Sequence, residues 1–156
     1  MSSTAEGVTQ TLNDELQVQL GSAELTDRDF VAAFEDCTLR PEHFHHADHV
    51  RLAWLYLTWH DYEAAEERFR QGLIKLAAHF GVPEKFHLTM TLGWLRAVQV
   101  RIVPDGESSF AAWIVGHPEL LDRELLLNYY SKDRLTSPEA RAGWLEPDRK
   151  ALSQAA

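Results

Sequence analysis

Four of the chain's eight histidines fall within seven residues, His43-Phe44-His45-His46-Ala47-Asp48-His49. On a helix, His45 and His49 lie one turn apart, and His46 and His49 are also neighbours. Either pair can chelate one ion, with imidazole nitrogens about 2.0–2.1 Å from a zinc. His87 stands far along the chain in Lys85-Phe86-His87-Leu88-Thr89-Met90-Thr91. Three neutral imidazoles with an open fourth position make a catalytic rather than a structural centre. Imidazole suits Fe, Cu and Zn alike, so the ligand type does not choose the metal.

Other side chains have a place near such a centre. Asp48, Glu42 and Glu84 are carboxylates that can ligate, orient an imidazole N–H or act as a general base. Asp48 points about 100° away from His49 on a helix, which favours a rim role. Thr91 lies one turn past His87, where its hydroxyl can also bond back to the His87 carbonyl. Tyr129 and Tyr130 end an apolar stretch, and Tyr130 is the candidate acid or hydrogen-bond donor. Arg51, Arg96 and Arg101 are candidates to clamp a carboxylate. Trp54 and Trp94 are candidate pocket walls. A single inward histidine is most often a core residue bonded to a carbonyl, so the weight rests on the group.

The elements that must position these residues are helices. Thr26 before Asp27-Arg28-Asp29 reads as a cap with acidic residues in the first turn, opening a helix to about Cys37. Pro41 opens a second helix to about His60, with His46, His49, Val50, Ala53, Trp54 and Leu57 on one side. Asp61 caps a third, which stops at Gly81. Pro83 opens a fourth to about Ile102, with His87, Thr91, Trp94, Leu95 and Val98 inward. Short connections make these three an up-down-up series, so the second and fourth run parallel. His46 and His87 then lie at axial depths of roughly 7 and 6 Å from the same end, and His60 at the opposite end. Ser109, Pro118 and Ser137-Pro138 open three further pieces, the second running from Glu119 to about Tyr130, before an irregular tail. No alternating strand pattern and no internal repeat stand out. The expected fold is all-α, a bundle of about five to six helices with an up-down core; residues 1–24 form a partly disordered arm and 25–156 a single domain.

Composition bounds the partners. The chain has 156 residues, 45% hydrophobic and 25% charged, enough for one domain that folds without a disulfide or structural metal. Cys37 is the only cysteine, which excludes an internal disulfide. With 24 acidic against 15 basic residues the formal charge is −9, which disfavours nucleic acid as a partner. No apolar run approaches the roughly 20 residues needed to span a bilayer, and Met1 to Gly7 has neither the basic nor the apolar part of a secretion signal. The expectation is a cytoplasmic protein.

The segments Phe44 to Trp54 and Lys85 to Thr91 resemble the two histidine signatures of small bacterial all-helical proteins of uncharacterised function. Tyr129 to Leu135, Ser137 to Arg141 and Glu146-Pro147-Asp148 are similar to the end of the same group. The resemblance covers most of the chain after about residue 25 and supports the choice of histidines without implying a substrate. In that group a Glu often follows the second histidine; here the position is Leu88.

The His-Glu-x-x-His zinc motif, a Gly-rich phosphate loop and a G-x-S-x-G elbow are absent, and the only adjacent His-Asp pair is His60-Asp61. The reading is a small metal-dependent enzyme acting on a small organic substrate. His46, His49 and His87 are its ligands to Fe, Cu or Zn, and His45 a substitute. Oxidative chemistry is preferred over hydrolysis or isomerisation, because an aromatic-lined bundle shields reactive intermediates. The alternative is a non-catalytic binding or homodimerisation module in which the histidines hold buried hydrogen bonds. Haem binding through one histidine is a third reading.

Overall fold

Side-chain caps place most helix starts. Thr26 Oγ1 accepts from the Asp29 N–H and opens α1 (Asp27–Glu35), which stops where Cys37 takes a left-handed conformation, φ 58°. Asp61 caps α3 (Tyr62–His79) through the Ala64 N–H, and Gly81, at φ 75°, turns the chain out of it. Ser109 caps α5 (Phe110–Val115), Ser131 caps α6 (Lys132–Leu135), and Ser137 caps α7 (Pro138–Ala142) with Pro at its first position. The computed structural model describes residues 20–152. The expected arm at 1–24 therefore lies mostly outside the described residues.

The two helices that carry the histidines start later than their prolines suggest. Pro41–His43 is one 3-10 turn, Phe44 and His45 are non-helical, and α2 runs His46–Trp59. Likewise Pro83–Lys85 is a 3-10 turn, Phe86 and His87 are extended, and α4 runs Leu88–Gln99. Each proline starts a turn of its own, and each histidine becomes the N-cap of the helix that follows. The pattern Pro-Glu-x-Phe-His occurs at 41–45 and again at 83–87, each time as a 3-10 turn followed by two non-helical residues, a short internal repeat that the hydrophobic pattern does not reveal.

A third correction concerns residues 118–130, which form two 3-10 turns, Pro118–Leu121 and Leu125–Asn128, in place of one helix. Asp122 Oδ1 accepts from the Glu124 N–H at 2.9 Å, a local turn that competes with helix continuation. The architecture is all-helical, with seven α-helices and no strand among the described residues. No helix there is long and apolar enough to cross a membrane.

α2 is the axis. The expected one-sided face is instead buried nearly all round: Ala47 to Tyr56 are buried at every position except the half-buried His49. α3 and α4 cover one flank. α5 covers another, where Trp54, Phe110 and Trp113 form a cluster of three rings. α1 covers the third, where Phe34 meets the Tyr56 ring edge-on and the Tyr56 hydroxyl donates to Glu35 at 2.7 Å. α1 also comes against α3 closely enough that a Cβ at Gly72 would run into the Phe34 ring.

Candidate functional site

The two repeated turns face each other across a cavity of about 620 Å³. His45, His46, His49 and His87 all line it, together with the paired Phe44 and Phe86. The four histidines singled out by spacing thus meet in one place. They meet because two parallel helices begin at the same end, each five residues after its proline. α3 supplies the facing wall through Phe69, Leu73 and Leu76, and α4 adds Met90, Thr91 and Trp94.

The four imidazoles have different duties. His87 is buried and both of its nitrogens are engaged. Nδ1 accepts from the Met90 N–H at 3.0 Å, and Nε2–H donates to the Leu135 carbonyl at 2.8 Å. That pattern fixes one neutral tautomer and leaves no lone pair for an ion. His46 Nε2–H donates to the Leu120 carbonyl at 2.9 Å, so its Nδ1 keeps a lone pair. The His46 ring stands edge-on to Trp94, centroids 4.5 Å apart. His49 stacks on Phe44 at 3.9 Å with both nitrogens free of any partner among the described residues. His45 is exposed at the rim.

Burial dominates the electrostatics. It lowers the pKa of His46 and of His87, in each case against a backbone hydrogen bond that raises it. His49 keeps part of its surface open to the cavity, yet surrounding protein pushes its pKa down to about 3, helped by His46 and by the Arg123 guanidinium. His46, His49 and His87 are therefore neutral at pH 7.

The other expected site residues separate into two groups. Thr91 and Trp94 reach the cavity. Asp48 does not. It is fully buried, accepting from the N–H groups of Gly21 (2.9 Å), Ser22 (2.9 Å) and His45 (2.8 Å) and from the Ser22 hydroxyl. Arg51 donates to the same segment, through the Ser22 and Leu25 carbonyls at 2.8 Å and Asp27 at 2.9 Å. Together they bind residues 21–27 to the start of α2. Tyr130 is buried elsewhere, its hydroxyl donating to the Leu145 carbonyl at 2.6 Å. Glu42 and Glu84 are exposed and off the cavity wall. Arg101 pairs with Glu119 at 2.7 Å, and Arg96 lies under the Trp144 ring at 4.3 Å. Trp54 packs in the core, away from the cavity.

Two cavity-lining residues escape sequence reasoning. Arg123 and Lys85 line the cavity, but Asp122-Arg123-Glu124 reads as a solvated charge run. The His46–Leu120 hydrogen bond, the Arg101–Glu119 pair and the buried Leu120 hold the 118–121 turn against the bundle, and Arg123 follows that turn.

Among the described residues no three His, Cys, Asp or Glu side chains sit close enough together to hold a metal ion. Comparison with protein-family models, curated proteins and solved structures finds no match to this chain.

Proposed function

We propose that the chain is a small helical enzyme that binds a small organic molecule between its two Pro-Glu-x-Phe-His turns, with His49 as the side chain that acts on it. The observation that carries this reading is the division of labour among the histidines. His87 and His46 hold backbone carbonyls, whereas His49 presents an uncommitted imidazole to a cavity of about 620 Å³, the size of ordinary small-molecule sites. Aromatic and aliphatic side chains with a few polar groups are the lining such sites use.

An imidazole with a pKa near 3 is a weak base, so in the empty cavity it serves as a hydrogen-bond donor and acceptor. A negative group bound beside it raises that pKa and makes it a proton donor. Thr91 and Trp94 position the ligand from α4.

The test is ligand-observed NMR with a panel of small aromatic and aliphatic fragments, on wild type and His49→Ala. Fragments that bind wild type and lose at least about tenfold in affinity, roughly 1.4 kcal/mol, in the variant support the reading. Equal affinity for both proteins, or no binding to either, overturns it.

A metal-dependent form of the same enzyme is the second reading. It is favoured by the adjacent His46 and His49, which burial keeps unprotonated and which retain open ring nitrogens. His45 lines the same cavity at its rim and would have to swing inward before three imidazoles could share Fe, Cu or Zn; His87 does not fit such a set, since both its nitrogens are engaged. Stoichiometric metal that is lost in His49→Ala and kept in His87→Asn supports this form. Metal uptake unaffected by His49→Ala refutes it.

A further inference from the structure

The cavity wall is sorted by charge against the trend of the whole protein. The chain has 24 acidic and 15 basic residues, yet no acidic side chain lines this cavity, while Lys85 and Arg123 both do. Arg123 has no ion-pair or hydrogen-bond partner among the described residues, and its chain neighbour Asp122 is bonded to the Glu124 N–H. Its guanidinium is near enough to His46 and His49 to lower the pKa of each. The N-terminal, positive ends of α2 and α4 open on the same space, since both N-caps are part of its wall. Asp48, the carboxylate closest to the start of α2, lies behind the wall with its oxygens saturated. The opposite side is apolar, from Phe69 and Leu76 of α3 to Trp94 of α4.

We infer that the ligand is a small organic carboxylate with an aromatic or aliphatic body, its carboxylate held by Arg123 beside His49 and its body lying between Trp94 and the wall of α3. A guanidinium matches the planar carboxylate in bidentate fashion, and the neutral imidazoles add donors without repelling it. The apolar share of the wall recognises the body, which a simple inorganic anion lacks. This inference rests on reading the cavity as the functional site.

The experiment compares each acid with its neutral amide: benzoate with benzamide, and octanoate with octanamide. Binding is followed at pH 7 by calorimetry and by the amide resonances of His49 and Trp94. Wild type, Arg123→Ala and Arg28→Ala are used, the last removing an equal charge from the exposed side of α1. The expected result is that an acid binds at least about tenfold tighter than its amide, that Arg123→Ala erases this preference, and that Arg28→Ala does not. Amides that bind as well as acids, or acid binding unchanged in Arg123→Ala, overturn the carboxylate inference while leaving the cavity as a ligand site. Absence of any shift at His49 and Trp94 with all four probes overturns both.

Discussion

The turn at 41–45 and the turn at 83–87 share four of five residues and one plan, a 3-10 turn followed by two non-helical residues, but they close differently. At α4 the N-cap side chain reaches forward: His87 Nδ1 takes the Met90 N–H. At α2 the third residue reaches back: the Asp48 carboxylate takes the His45 N–H. α2 thus has the back-reaching carboxylate of a capping box, which α4, with Met90 at the third position, lacks. The consequence is that His87 is buried and fully bonded, whereas His45 is left at the rim. A shared local motif fixes where a helix begins; the tertiary neighbours decide whether its histidine is structural or accessible.

The largest effect should come from the residue that makes the turns differ. Asp48→Asn replaces an acceptor of four hydrogen bonds with a group that must turn an NH₂ toward donors. It also leaves Arg51 beside Ser22 without a nearby buried carboxylate. The expected loss is about 3–5 kcal/mol, the range for breaking a buried charged network, read as the urea midpoint. Residues 21–25 should become protease-sensitive at the same time.

His87→Ala comes next. It removes the cap, worth about 1 kcal/mol, and strands the buried Leu135 carbonyl at about 1–3 kcal/mol. His87→Asn keeps a capping side chain too short to reach Leu135, so it should recover the first part only. Equal losses for both variants would show that the carbonyl bond, not the cap, dominates.

The same contacts set the pH dependence. The folded pKa of His46, His49 and His87 is depressed below the ordinary 6.5 by burial, and Arg141 adds to the effect at His87. Above about pH 6.5 these rings are neutral folded or unfolded. Below it the unfolded chain binds protons that the native state refuses, so stability falls from about pH 6.5 downward. For His49 the loss continues to about pH 3. The urea midpoint should drop between pH 7 and 5, with a shallower slope in His87→Asn than in wild type.

These contrasts mark what was legible along the chain. Caps made by short polar side chains, Thr26, Asp61, Ser109 and Ser137, could be read directly because they act within three residues. Spacing from the two prolines brought His45, His46, His49 and His87 to one end, and they do share one cavity. Their duties were hidden because the partners are remote: Leu120 for His46, Leu135 for His87, Ser22 for Asp48. Proline suits a first helical position, which makes Pro41 and Pro83 look like helix starts. Each instead opens a 3-10 turn that ends at a phenylalanine, a break that periodicity does not register. Arg123 left no trace in its local sequence.

A smaller contrast separates stability from binding. His49→Ala removes the stack on Phe44 and enlarges a space that is already open. The expected stability loss is about 0.5–1.5 kcal/mol, the value of an aromatic pair, well under that of His87→Ala. Binding in the cavity should fall further than stability does. A stability loss as large as that of His87→Ala would place His49 with the structural histidines and return the cavity to mere packing.

The smallest effect is expected at His45, and it is the sharpest check on the two turns. If the Asp48 carboxylate closes the start of α2, the exposed His45 ring is not needed for folding, and His45→Ala should change the urea midpoint by less than the equivalent of about 0.5 kcal/mol. The same substitution at the matched position of the second turn costs several times more. Combining His45→Ala with Asp48→Asn tests the logic again: with the back-reaching carboxylate gone, the His45 ring becomes the only side chain placed to cap α2. Its removal should then cost about 1 kcal/mol, the ordinary value of a lost cap. An additive pair, with His45→Ala still silent in the Asp48→Asn background, would mean that the first turn is held by its phenylalanine and proline alone. The resemblance between the two turns would then be one of backbone shape, without a shared capping role.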